Sequence, residues 1–136
     1  MALRKKGKYY YGDSQDDLIL EIKRYAENNK YPADETEIIK CDKCGQQSFN
    51  LFSDDDESGA LCKCVNCDEM KFIRDSQEFI NHENIDNHEC MCGNPDFTVI
   101  VALSFYQDAK NVRWVYVGGY CSKCGMVGTY IDWNER

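Results

Sequence analysis

Four pairs of cysteines constrain this chain more than any other feature: Cys41-x-x-Cys44, Cys64-x-x-Cys67, Cys90-x-Cys92 and Cys121-x-x-Cys124. Glycine follows three of them, at Gly45, Gly93 and Gly125, and glycine lets the backbone turn sharply enough for two thiols to face one point. The pairs fall into two sets. Cys44 and Cys64 stand twenty positions apart, Cys92 and Cys121 twenty-nine, separations that suit a short and a long β-hairpin. In the first set an apolar run at 49–52 leads to an acidic tip, SDDDESG, before the chain returns to Cys64. In the second, FTVIVALSFY leads to a tip at QDAKN, and VRWVYVGGY returns to Cys121. Each set ends on an aspartate eight positions past its last cysteine, Asp75 and Asp132. This is an internal repeat of one supersecondary unit.

Paired thiols are metal ligands or disulfide partners, and the compartment decides between them. No run approaches the length of a membrane span, and the opening MALRKKGKYYYGD has no apolar centre of the kind a secretory leader carries. The expected location is the cytoplasm, where thiols stay reduced and nine cysteines point to metal. Four thiolates around one ion leave no open coordination position, which favours structural zinc; iron fits the ligand type and ranks second. The expected ligands of two zinc ions are Cys41, Cys44, Cys64, Cys67, Cys90, Cys92, Cys121 and Cys124. Neighbouring pairs sharing an ion would give two stacked units, and alternate pairs a cross-braced domain; the hairpin-sized gaps favour the first. In ligand spacing and hairpin layout, 41–131 resembles zinc ribbons.

The stretch LCKCVNCDEM holds a spare thiol. The repeat aligns Cys64 with Cys121 and Cys67 with Cys124, so Cys62 falls opposite Gly119 and is left over. Two positions before Cys64 on a strand, it shares that residue's face. It is either a small packed residue beside the metal or a redox thiol able to displace Cys64 and release zinc. The first is the commoner fate of a free cysteine. His88, two positions before the tight Cys90-x-Cys92 corner, could replace a thiolate there; otherwise it is solvated linker, as His82 is.

Outside the cysteine units, SQDDLILEIKRYAENN reads as a helix. Ser14 can cap it, Asp16 and Asp17 suit its first turn, and Asn28 and Asn29 can end it. Leu18, Ile22, Tyr25 and Ala26, joined by Ile19, give it one apolar face. In the second hairpin, Phe97, Val99, Val101, Leu103 and Phe105 alternate onto one face while Ile100 and Ala102 make the other apolar too. Trp114 and Tyr116 share a face opposite Val115 and Val117. A sheet apolar on both faces needs cover, and this helix is the candidate. The expected fold is a small α+β, metal-bound one: an N-terminal helix packed on two tandem zinc-ribbon β-hairpin units, the second with long antiparallel strands. Its expected divisions are a tail and capping helix at 1–40, a first unit at 41–75, a polar, irregular linker at 76–89 with one helical turn after Ser76, and a second unit at 90–136, within one compact domain.

Charge narrows the function. The formal net charge is −8 with cysteines neutral, and eight thiolates around two divalent ions would add four more negative charges. Such a protein is poorly suited to tracking a nucleic-acid backbone, and a basic protein partner suits it better. RKKGKYYY mixes cations with aromatics as single-strand binders do, yet the tyrosines more readily anchor the chain to a sheet edge. DDDE at 54–57 lacks the spaced ligands of a calcium loop and reads as a solvated hairpin tip. No nucleophile elbow, phosphate loop or HExxH is present, so catalysis is disfavoured. The order of YYYGDS, YPAD, CMCG, VRWVYVG and CSKCGMVGTYIDW resembles that of small uncharacterised bacterial double zinc-ribbon proteins, which implies a bacterial cytoplasmic protein and no particular mechanism. Three functions are therefore expected in order: a non-catalytic protein-interaction module, with an inhibitor or immunity-type role as its specific form; a nucleic-acid-associated zinc ribbon in transcription or RNA handling; and a thiol redox or zinc sensor using Cys62.

Overall fold

The alternating run from Asp96 becomes a ten-residue strand, and the rest of the chain is assembled on it. A computed structural model describes residues 3–107 and 111–135. The elements run β1 (Arg4–Lys6), β2 (Tyr9–Tyr11), α1 (Gln15–Asn28), β3 (Glu35–Ile38), β4 (Phe49–Asp54) and β5 (Gly59–Cys64). They continue through β6 (Met70–Phe72), α2 (Ser76–Phe79), β7 (Asp86–Asn87), β8 (Asp96–Phe105), β9 (Val112–Tyr120) and β10 (Met126–Asn134). The tip expected at 107–111 lies partly outside the described residues, at 108–110.

The strands form an antiparallel sheet in the order β1-β2-β10-β9-β8-β4-β5-β6, with β3 also on β8 and β7 on β4. One edge of β8 pairs with β9 from Thr98 to Phe105. The other edge is shared: β3 takes Ile100 to Leu103, and β4 takes Asp96 and Phe97. The two cysteine hairpins are thus joined through a short ladder at the root of β8. None of the helices among the described residues is long and apolar enough to cross a membrane.

Both faces of the long hairpin are buried, as the double alternation requires. On one, Ile100, Ala102, Tyr116 and Val127 meet Leu18, Ile22 and Ala26 of α1. This is the cover expected from the helix. On the other, Val99, Val101, Val115 and Val117 pack with Phe49, Leu51, Ile73 and Trp133. The first cysteine hairpin supplies that second cover, of which the apolar pattern of the helix gives no hint. The tyrosines anchor as expected, with β2 joining the sheet through Tyr11 opposite Met126 and Tyr10 opposite Val127.

Local chemistry sets the helix ends. Ser14 is the N-cap residue, but its side chain makes no capping bond. The carboxylate of Asp17 instead accepts the Asp13 N–H at 2.7 Å. At the other end Lys30 adopts a left-handed φ of 69° and its N–H reaches Glu27 O at 3.1 Å, closing the helix by a Schellman-type bond.

The two repeat-marking aspartates share a task. Asp132 accepts the Trp114 indole N–H at 2.7 Å and the Tyr25 hydroxyl at 2.7 Å. Asp75 accepts the Trp133 indole N–H at 3.1 Å. Asp132 reaches the helix side because β10 carries a register shift between Thr129 and Ile131. The extra residue turns Tyr130 and Ile131 to the same face, which flips the parity of the remaining strand positions.

Two expectations need correction. The linker at 76–89 takes its expected helical turn as α2 at Ser76–Phe79, but the rest is not an irregular tether: β7 pairs with Phe52 and Ser53, and the His88 N–H donates to Leu51 O at 2.8 Å. The acidic tip is not wholly solvated either, since Asp54 is fully buried. Its carboxylate accepts the N–H groups of Asp56, Glu57 and Asn81 at 3.0, 3.2 and 2.8 Å. Burial opposes its ionisation, but those three donors outweigh it and hold the carboxyl below its ordinary range. Asp54 therefore ties the hairpin tip to the linker.

Two substitutions test this packing. A side-chain carbon on Gly118 would lie 2.6 Å from Ile22 Cδ1 and 3.0 Å from Leu18 Cδ1, so Gly118→Val should cost about 1–3 kcal/mol in denaturant unfolding by forcing α1 off the sheet. Asp54→Ala leaves three backbone donors without their acceptor and should cost about 3 kcal/mol, with faster hydrogen exchange at the Asn81 amide.

Candidate metal centre

Each cysteine pair sits in a turn whose backbone bonds repeat. Cys41, Cys64 and Cys121 donate N–H to the carbonyl five residues on, at Gln46, Glu69 and Met126, over 2.8–2.9 Å. The N–H four residues on returns to the same cysteine carbonyl, from Gly45, Asp68 and Gly125, at 2.8–2.9 Å. Cys90 makes the same loop one residue shorter, with Asn94 O and Gly93 N–H, which accommodates the tight Cys90-x-Cys92 spacing. The returning residue has φ of 78° at Gly45, 65° at Asp68, 90° at Gly93 and 85° at Gly125. Three of these are glycine; Asp68 fills the fourth because aspartate tolerates the left-handed region better than most residues.

These turns bring the sulfurs together in sequential order. The Sγ atoms of Cys41, Cys44, Cys64 and Cys67 lie within 4.8 Å of one another, as do those of Cys90, Cys92, Cys121 and Cys124. The shortest separations are 3.4 Å for Cys41–Cys67, 3.6 Å for Cys44–Cys64, 3.3 Å for Cys90–Cys124 and 3.6 Å for Cys92–Cys121. A zinc–sulfur tetrahedron has edges of about 3.8 Å, so both clusters are close to the size that a metal ion requires. Cys41, Cys64, Cys90 and Cys121 face the core, while Cys44, Cys92 and Cys124 reach the surface.

The surroundings favour thiolate at some positions and resist it at others. The Cys44 N–H, seconded by that of Lys43, holds Cys41 below the ordinary thiol range. The Gln46 N–H and the Asn66 side chain bring Cys44 down to about 6. Burial opposes ionisation of Cys121, yet the Asn94 amide and the Cys124 N–H bring it down to about 6. Against this, the Glu69 N–H fails to offset burial and the neighbouring sulfurs at Cys67, which is pushed up to about 12. Burial, joined by the neighbouring thiols, also raises Cys90. Four thiolates repel one another at this spacing, and a divalent cation at their centre supplies the charge that lets all four ionise. The donor set, the distances and the N–H bonds to sulfur fit such an ion.

Asn94 and Asn66 are outer partners that cysteine spacing does not reveal. Asn94 is buried; its amide donates to Cys121 Sγ at 3.3 Å and to Asp96 O at 3.0 Å. The second centre is also strapped by the N-terminal segment, because Gly12 N–H donates to Gly125 O at 2.7 Å. A side-chain carbon on Gly125 would meet the Gly12 carbonyl oxygen.

The remaining candidates lie elsewhere. Cys62 is fully buried in β5 opposite Leu51 and belongs to the core. Burial pushes its thiol up to about 12, with only slight relief from Lys71. His88 joins neither cysteine cluster and is not solvated linker. Its Nε2 lies 2.6 Å from Ser53 Oγ, its ring packs 5.0 Å from that of Tyr130, and burial lowers its pKa. His82 is exposed and meets the edge of Phe72 at 5.9 Å.

Set against family models, curated proteins and solved structures, the chain matches none. Two clusters of four cysteines, consistent with zinc-ribbon-like sites in a small β-rich domain, are therefore what defines it. Asn94→Ala should weaken metal binding at the second cluster by about 10–100-fold and leave the first unchanged, as read by competition with a chromophoric chelator. Cys64→Ser should lose one metal ion and Cys62→Ser none, by elemental analysis.

Proposed function

We propose that this chain is a non-catalytic protein-interaction module held rigid by two structural zinc ions. Cys41, Cys44, Cys64 and Cys67 bind one, and Cys90, Cys92, Cys121 and Cys124 the other. The observation that carries this is the closure of both clusters: four protein sulfurs converge on each centre and leave no position for a substrate. The units at 41–75 and 90–136 form one compact domain with the helix, of the kind its motifs resemble in small bacterial double zinc-ribbon proteins. The net charge of −8 suits a basic protein partner in the cytoplasm, as an inhibitor or immunity-type protein would have.

One observation favours a nucleic-acid-associated ribbon instead. Arg4, Lys5, Lys6 and Lys8 are all exposed on the β1–β2 hairpin. However, Lys5, Lys6 and Lys8 lie over the rings of Tyr10, Tyr11 and Tyr9 at 5.4–5.8 Å, occupying faces that bases would need for stacking. The burial of Cys62 supports a packing role over a sensing one.

Native mass spectrometry of the tagged protein, gently isolated from its own cells under reducing conditions, tests the proposal. Two zinc ions and a bound companion protein are expected. Chelation should then loosen the fold, seen as lost dispersion in proton–nitrogen spectra, because metal binding and folding are coupled. A metal-free protein that keeps its fold, or a companion that is nucleic acid alone, overturns it.

A further inference from the structure

We propose that the outer edge of β3 is a docking strand for an extended, basic segment of a partner protein. The inference rests on the protein-binding reading above and assigns it a surface. Among the described residues β3 pairs with β8 alone. The Ile39 N–H donates to Val99 O at 2.9 Å, and backbone groups alternate along an antiparallel ladder. Glu37 therefore faces β8, while Thr36 and Ile38 turn their N–H and C=O groups outward. An open row of this kind accepts another strand.

Clefts flank this edge. At its start a cleft of about 1000 Å³ is lined by Pro32, Glu35, Ser104, Tyr106 and Arg113. Beside it a smaller one of about 230 Å³ is floored by Val101 and Leu103 and rimmed by Glu37 and Arg74. Ser104 is 1% exposed, yet its hydroxyl finds no hydrogen-bond partner among the described residues, and neither does Arg113 Nε. Buried polar groups left in that state carry a penalty, and both residues belong to the lining of this cleft. Tyr106 is 45% exposed at the cleft mouth, with the Arg113 guanidinium held over its ring and that of Tyr31.

Charge selects the occupant. Glu35 and Glu37 stand two positions apart, opposite Leu103 and Val101, and so share one face of the ladder. Asp34 adds a third carboxylate, although it also accepts the Phe105 N–H at 2.9 Å. Both nearby cations are held elsewhere: Arg74 makes a two-pronged bond to Glu135 at 2.6 and 3.0 Å, and Arg113 lies over the rings of Tyr31 and Tyr106. The edge is thus negative, with a spacing that matches Lys or Arg at alternate positions of an added strand. Charges on an edge also guard against aggregation, but guarding needs neither the flanking clefts nor the unpaired Ser104 hydroxyl.

A random ten-residue peptide library panned over the metal-loaded full chain tests this, with bound peptides mapped by proton–nitrogen NMR. The expected winners carry Lys or Arg at alternate positions and shift the Thr36 and Ile38 amides. Thr36→Pro removes an outward donor without touching the β8 ladder and should abolish binding while metal content stays unchanged. Glu35→Lys combined with Glu37→Lys should weaken it by roughly tenfold or more. Winners without alternating basic residues, shifts confined to other surfaces, undiminished binding to either variant, or an empty selection each overturn the docking strand. A companion from the native isolation that still binds both variants refutes the docking strand alone and leaves the protein-binding reading standing.

Discussion

Repulsion between sulfurs is the constraint on which the rest of this molecule depends. Two hairpins each bring four thiols within 4.8 Å, and four negative charges at that spacing exist together only around a cation. The buried members of each cluster, Cys41, Cys64, Cys90 and Cys121, belong to the same apolar cluster as Phe49, Val99 and Val117. The centres therefore continue the core and do not hang from it. In a chain whose charged residues make up 29%, apolar burial is limited, and a metal ion held by these thiols would contribute cohesion where side chains are scarce.

Given those roots, the long hairpin faces a geometric problem: both its surfaces are apolar. Separate covers solve it, α1 on one side and the first cysteine hairpin on the other. The close seat of α1 depends on Gly118, where any side chain would strike Ile22. Its orientation depends on Asp132, which the β10 bulge turns toward Tyr25 and Trp114. One added backbone residue thus converts a strand position that would face one cover into a hydrogen-bond acceptor for the other.

Much of this is legible in the sequence because the signals are periodic. The cysteine pairs, the helix face from Leu18 to Ala26 and the double alternation of β8 each follow a fixed spacing, so grouping, helix and two-sided burial can be read directly. The bulge, the outer-shell role of Asn94 and the burial of Asp54 follow no period. Asp54 looks like its exposed neighbours Asp55 and Asp56 in sequence, and what distinguishes it is the set of N–H groups it accepts, from Asp56, Glu57 and the distant Asn81. The linker's attachment escapes a sequence reading for the same reason: it runs to β4 mainly through backbone bonds, which composition does not encode. Asp68 shows the limit from the other side, since the turn survives where the expected glycine is missing.

The cysteine clusters and the open edge of β3 are mechanically linked. The second cluster lies at the root of β8, while the large cleft lies at that strand's far end, about 30 Å away by strand rise. The first cluster is closer: Cys41 follows Ile38 by only three positions. A four-residue strand paired on one side has little intrinsic stability. Its far end is pinned by Cys41 and its near end by the bonds of Asp34 to Leu103 and Phe105. A metal ion held at the first cluster would thereby fix the register in which Thr36 and Ile38 present their outward backbone groups. The edge and the first cysteine cluster are thus consecutive features of one stretch of chain.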